Sequence, residues 1–305
     1  MLNAVLYLRR NILSALYIVL IIIGISAQSV LKKWYSKKNT GGVFVFSAVS
    51  VLTACLFFVV KSGFKFNFHP EILPYAISFA LAFCSATLFG FWAILSGPLS
   101  LTSLATSYSL LIPTFWGIIF DGDKTSVWLY LGLALLAASL VFINLKDKPK
   151  EKGAEKTEGE VKITLKWAIF VLIALVTNGA CSTIQPAQTR IFGGKYDSVF
   201  MIIALAIVFV ALLVFVLIKE RREIIPSVKA GGVAMILCGA TNGLVNLLVM
   251  LASPLVNNSV FFPLISAGGI VLTWLVSMFL YKEKLSAKQN IGMVLGVLSI
   301  IFLNL

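Results

Sequence analysis

Residues 118–145 read IIFDGDKTSVWLYLGLALLAASLVFINL, and residues 278–305 read MFLYKEKLSAKQNIGMVLGVLSIIFLNL. At a fixed offset of 160, Lys124, Ser126, Gly132, Leu135, Ser139, Phe142, Asn144 and Leu145 each meet an identical residue, and Asp123 meets Glu283. A second match lies upstream, where Cys84-x-Ala86-Thr87 returns as Cys238-x-Ala240-Thr241 at an offset of 154. The chain therefore repeats itself, with a short length difference between the copies. If each half carries five apolar spans, the odd count makes the second half enter a membrane with opposite polarity. Inverted repeats of this kind recur in secondary transporters, whose halves rock about a midplane site.

Composition agrees with a lipid environment. Of 305 residues, 59% are hydrophobic and only 12% charged, against about 25% charged in an average soluble chain. Mean hydropathy is +0.99. The net charge of +13 sits in short loops between apolar runs, where it sets orientation and meets anionic headgroups. That distribution argues against a nucleic-acid partner. Cys55, Cys84, Cys181 and Cys238 all fall inside apolar runs without CxxC spacing, and His69, the lone histidine, lies in a loop. Neither a metal site nor a disulfide framework is expected. The apolar run 12–31 exceeds the 7–15 residues of a signal h-region and fits a full span of about 20 residues. It is expected to stay as a first helix.

Ten apolar runs are expected as helices: 11–32, 43–61, 72–95, 99–120, 126–145, 166–189, 198–218, 230–252, 255–281 and 286–305. In hydrocarbon each must satisfy its own backbone. Pro113, Pro186 and Pro263 lie inside runs and should kink them. The expected organisation is a first five-helix repeat over 1–145, a charged linker over 146–165, and a second five-helix repeat over 166–305. Lys and Arg gather in the odd-numbered loops and the linker. The positive-inside tendency then puts those loops and the linker in the cytoplasm and the termini outside, in a multi-pass plasma-membrane protein.

The stretch Tyr281-Lys-Glu283-Lys-Leu-Ser286-Ala-Lys-Gln-Asn-Ile-Gly292-x3-Gly296-Val297 resembles the repeat-end signature of the drug/metabolite transporter superfamily, EamA type. Asp123-Lys-Thr-Ser126 through Gly132 resembles a degraded copy of it. The resemblance implies ten helices around a central cavity lined by helices 1, 3, 4, 6, 8 and 9, with helices 5 and 10 as scaffold. It also implies export. Independently of any family, Gly292 and Gly296 stand one turn apart and permit close helix approach.

All 12 acids fall in loops or at span ends, and no Lys or Arg occupies a span centre. Buried charges mark ion and proton pathways, so their absence disfavours proton exchange through an embedded glutamate and phosphate capture by midplane lysines. Neutral groups remain as candidate binding residues: Gln28 on helix 1, Thr87 and Trp92 on helix 3, and Tyr108 on helix 4. Helix 6 adds Asn178 and Gln185, helix 8 adds Thr241, Asn242 and Asn246, and helix 9 adds Ser266. Asn242 and Asn246, at i and i+4, share one face. The plain alternative for each is a hydrogen bond between helices.

The sequence thus leads to the expectation of an all-α integral membrane carrier. It would move a small neutral, zwitterionic or weakly cationic metabolite, amino-acid or amine-like, by alternating access. No catalytic residue, metal or cofactor is expected, and the chain would be a monomer or homodimer in the bilayer. No HExxH, GxSxG or acid–histidine cluster supports an enzyme. A lipid or lipid-linked sugar translocase, or a non-transporting assembly or sensor protein acting through the linker, are the alternatives.

Overall fold

Apolar segments that cannot reach water must close their hydrogen bonds internally, and here they do so as helices. The computed structural model describes residues 2–38, 41–120, 126–144, 164–253, 255, 258–282 and 285–302, with no strand among them. The α-helices are α1 (Leu2–Lys38), α2 (Val43–Lys61), α3 (Leu73–Ser96), α4 (Leu99–Ser107), α5 (Leu111–Phe120) and α6 (Val127–Asn144). They continue as α7 (Leu165–Ile191), α8 (Asp197–Lys219), α9 (Ile224–Ala252), α10 (Asn258–Tyr281) and α11 (Ala287–Phe302). Six described helical segments are long and apolar enough to cross a membrane: Leu13–Lys38, Val43–Lys61, Pro70–Ser96, Leu165–Ile191, Asp197–Lys219 and Arg221–Ala252. They give the chain the build of a multi-pass membrane protein. Asp123 and Glu283 of the repeated turns, and residues 146–163 of the linker, lie outside the described residues.

Every expected run contains helix, but two details differ. The run 99–120 is divided by a 3₁₀ turn at Tyr108–Leu110. Pro113 therefore falls in the first turn of α5, where its missing N–H leaves no bond unmade. Helix α1 also extends beyond its expected limit, because lysines near a helix end carry their charge outward along an apolar stem, and α9 starts early, at Ile224, with a kink at Gly231 (φ −153°, ψ 21°) separating the added turns from the expected run. A hydropathy window stops at Lys32, whereas the helix runs on to Lys38.

Local chemistry sets the ends. Ser286 and Gln289 form a reciprocal capping box on α11: the Gln289 N–H donates to Ser286 Oγ at 3.3 Å, and the Ser286 N–H to Gln289 Oε1 at 2.9 Å. Thr164 caps α7 through the Trp167 N–H at 3.2 Å. Helix α2 starts at Gly42 with no side-chain cap of its own. Glu220, from the α8–α9 connection, supplies one by accepting the Val45 N–H at 3.0 Å.

Packing joins the halves. Helix α3 lies against α7 and α8, α1 against α9 and α10, α2 against α8 and α9, and α6 against α11. Phe46, Phe58, Phe79, Phe91 and Phe200 are fully buried in the largest apolar cluster. Gly239 lets α9 approach the Ser50 carbonyl of α2 more closely than any side chain would permit. The outside is as apolar as the inside: Leu81, Val233 and Phe279 stand 67%, 73% and 78% exposed. Lipid, not water, suits such a surface.

Candidate functional site

A cavity of about 290 Å³ opens between α1, α3, α4, α7, α9 and α10, with Ser109 of the 3₁₀ turn in its wall. Its size lies at the small end of metabolite pockets. Among the described residues, α2, α6, α8 and α11 contribute none to the lining. Helix α1 presents Ile21, Ile25, Gln28, Ser29 and Lys32, a stripe at the 3.6-residue period that keeps one face toward the hollow.

The amides meet across the two halves of the chain. Asn242 Nδ2 donates to Gln28 Oε1 at 3.1 Å, tying α9 to α1. Asn246 Nδ2 reaches back to the Asn242 carbonyl at 2.9 Å and to its Oδ1 at 3.2 Å. Gln185 Nε2 donates to the Asn246 carbonyl at 3.3 Å, and Asn178 Nδ2 to Ser109 Oγ at 2.8 Å. Amides in hydrocarbon would be costly; here each has a partner and most face the hollow. Ser266 lies in the same wall.

Four of the residues chosen from sequence stand elsewhere. Trp92 packs its ring against Phe44, Phe89 and Phe170, with centroids 5.8, 5.2 and 5.6 Å away. Tyr108 is buried behind the wall, its hydroxyl 2.8 Å from Ser139 Oγ. Thr241 returns its hydroxyl to the Leu237 carbonyl of its own helix at 2.6 Å. Thr87 is not in the lining, which takes Ala86 and Gly90 from that helix instead. In helices apolar on every side, composition does not reveal which polar group turns inward, and aromatic rings find partners in packing.

Two features escaped the sequence reading. The first is the hydroxyl face of α4 and the 3₁₀ turn, Thr102, Ser103, Thr106 and Ser109, whose spacing of three and four was a legible signal. The second corrects the expectation of an uncharged interior. Lys32 lines the cavity, one turn beyond Gln28, although hydropathy alone places it at the end of the span. Ser26, by contrast, is structural: it accepts from Thr273 Oγ1 at 3.1 Å and joins α1 to α10. Among the described residues no group of His, Cys, Asp and Glu could hold a metal ion.

No protein-family model and no curated protein sequence matches the chain. Among solved structures, one described only as "Crystal structure of protein" superimposes with a TM-score of 0.62 at 16% identity. The match covers 95% of this chain and 98% of the other, so the similarity is one of whole fold. That likeness shows the fold alone; the apolar spans and the polar hollow between them are features of this chain itself.

Proposed function

We propose that this chain is a secondary carrier of the drug/metabolite transporter type, moving a small polar metabolite of amino-acid size by alternating access. The observation that carries the reading is the polar cavity, walled by helices from both halves inside an otherwise apolar bundle. In this reading α4 and α5 form one span, and the ten spans make two inverted five-span repeats. The packing supports that division. Exchanging α1 with α7, α2 with α8 and α3 with α9 turns the α3–α7 contact into α9–α1, and α2–α9 into α8–α3, all of which occur. The α2–α8 and α6–α11 contacts map onto themselves. A pseudo-two-fold axis has this signature, and five spans per half turn it into the membrane plane.

The cross-half amide bonds suggest how a solute acts. Gln28–Asn242 and Asn178–Ser109 hold the halves together across the hollow, each worth about 1 kcal/mol in a membrane interior. A zwitterionic or neutral solute offering donors and acceptors replaces them at small net cost. It thereby favours whichever arrangement of the halves gives it more partners, as any ligand-driven shift requires. Odd loops and linker in the cytoplasm of a plasma-membrane protein complete the proposal.

The test is counterflow in liposomes with labelled amino acids, amines and nucleotide sugars. Exchange of an amino-acid-sized solute, weakened tenfold or more by Asn242→Ala, is the expected result. Failure of every solute to exchange would overturn the carrier reading.

A further inference from the structure

Among the described residues that line the cavity, Lys32 is the only charged one, and none is acidic. The last turn of α1 has its own cations, Lys37 and Lys38. Lys33 turns the other way, its Nζ donating to the carbonyls of Ile94 at 3.4 Å and Gly97 at 3.1 Å. It thus meets the negative end of the α3 dipole. Lys32 instead continues the α1 stripe of Ile21, Ile25, Gln28 and Ser29 into the hollow. It stands six residues inside the end of α1 at Lys38, about 9 Å along the axis. A cation at this height that lines a cavity, instead of running outward with the lysines of the helix end, marks a functional position by default.

The geometry points to Lys32 as the anion subsite of this cavity, taking the carboxylate of a small solute whose other polar end meets the amides of Gln28, Asn242 and Asn246. Only the transport arm of the test rests on the carrier reading. The charge count selects the class. One ammonium balances one carboxylate, whereas a phosphate monoester carries about −1.5 to −2 at neutral pH and would leave excess charge in an apolar wall. The ammonium is also a point charge without the fork that arginine offers to phosphate. Gln28 lies on the same face as Lys32, and amides both donate and accept. An amino or hydroxyl group on the same solute therefore finds partners a few ångströms along α1. Amines lacking a carboxylate would meet only repulsion from Lys32.

The full-length chain would be examined in detergent and in liposomes. The probes are the common amino acids and 2-hydroxy acids, each beside its own amide, its decarboxylated amine or alcohol, and its phosphate-bearing counterpart. Thermal shift in detergent reads binding without transport. The expected result is a shift from at least one carboxylate and from neither its amide nor its amine. Lys32→Gln should weaken that binding tenfold or more, and Lys32→Arg should restore most of it. Unchanged helix content and ligand-free melting of Lys32→Gln would exclude misfolding. In liposomes the same variant should raise KM for the carboxylate while leaving kcat within threefold. Shifts from amides or amines alone, from phosphates in preference, from no carboxylate at all, or equal carboxylate binding by wild type and Lys32→Gln, would each overturn the assignment. Binding without counterflow would sink the carrier reading and leave the subsite standing. Counterflow indifferent to Lys32 would do the reverse.

Discussion

Helices α6 and α11 lie in the two stretches whose residues match at an offset of 160, yet they are held differently. Ser139 on α6 and Ser299 on α11 are mates at the offset of 160, and both are fully buried. Ser139 donates to the Gly292 carbonyl of α11 at 2.7 Å and meets the Tyr108 hydroxyl at 2.8 Å. Ser299 has no hydrogen-bond partner among the described residues. One of the two contacts has no counterpart in the other copy, because the mate of Tyr108 at that offset is Gly268, which has no side chain to offer. The helix starts differ in the same way. Helix α8 carries Asp197 in its own first turn, whereas its mate at the offset of 154, Val43, opens a helix that borrows the carboxylate of Glu220. In both comparisons the matched stretches place a helix crossing or an acid at the same position, while the residue that supplies the contact differs.

The largest effect should come from making the copies more alike in sequence. Position 136, the mate of Gly296, is leucine. A Cβ on Gly296 would stand 2.7 Å from Leu104 Cδ1, 2.8 Å from the Tyr108 hydroxyl and 2.9 Å from Ser139 Oγ. Gly296→Leu should therefore cost about 3 kcal/mol through overpacking, read as a fall in detergent melting temperature. If it melts as wild type does, the α6–α11 crossing is not where stability lies. Next comes the serine pair. Ser139→Ala strands the Tyr108 hydroxyl and should cost about 1–2 kcal/mol, because an unpaired buried donor bears its full desolvation penalty. Ser299→Ala removes a group that already lacks a partner and should be neutral or stabilising. Equal losses from the two alanines, in parallel melts, would erase the asymmetry.

What the sequence made legible follows the same division. The repeat and the apolar runs located the helices, because in lipid a long apolar segment has no other way to satisfy its backbone. Asn242 and Asn246 were readable as a pair because two amides on one helical face need a reason to be there. The orientation of single residues was not readable. Trp92 and Tyr108 carry the same aromatic signal whether they face a cavity or a neighbouring helix, and only tertiary partners such as Phe170 and Ser139 decide between them. Lys32 was concealed by its neighbours. Four lysines between 32 and 38 look like one polar helix end, although Lys33 is committed to the α3 carbonyls and Lys32 to the hollow.

The borrowed cap gives the finest test of the comparison between α2 and α8. Glu220 is partly buried, and loss of water raises its carboxyl above the ordinary value. The N–H groups of Val45, Phe44 and Val43 pull it back down, and Glu223 pushes it up again. Because the folded value is raised, the fold favours the protonated acid. The contribution of Glu220 is greatest below its unfolded value, near pH 4.5, and declines as pH rises through the raised one. Glu220→Ala should cost about 1 kcal/mol at neutral pH, the usual loss of a helix cap. Glu220→Gln keeps an acceptor for the Val45 N–H without a charge to desolvate. It should therefore melt within about 0.5 kcal/mol of wild type at pH 7, with a flatter stability slope between pH 7 and 5. A Glu220→Gln protein as weak as Glu220→Ala would mean that α2 needs the full negative charge, as α8 has in Asp197, and not merely an oxygen.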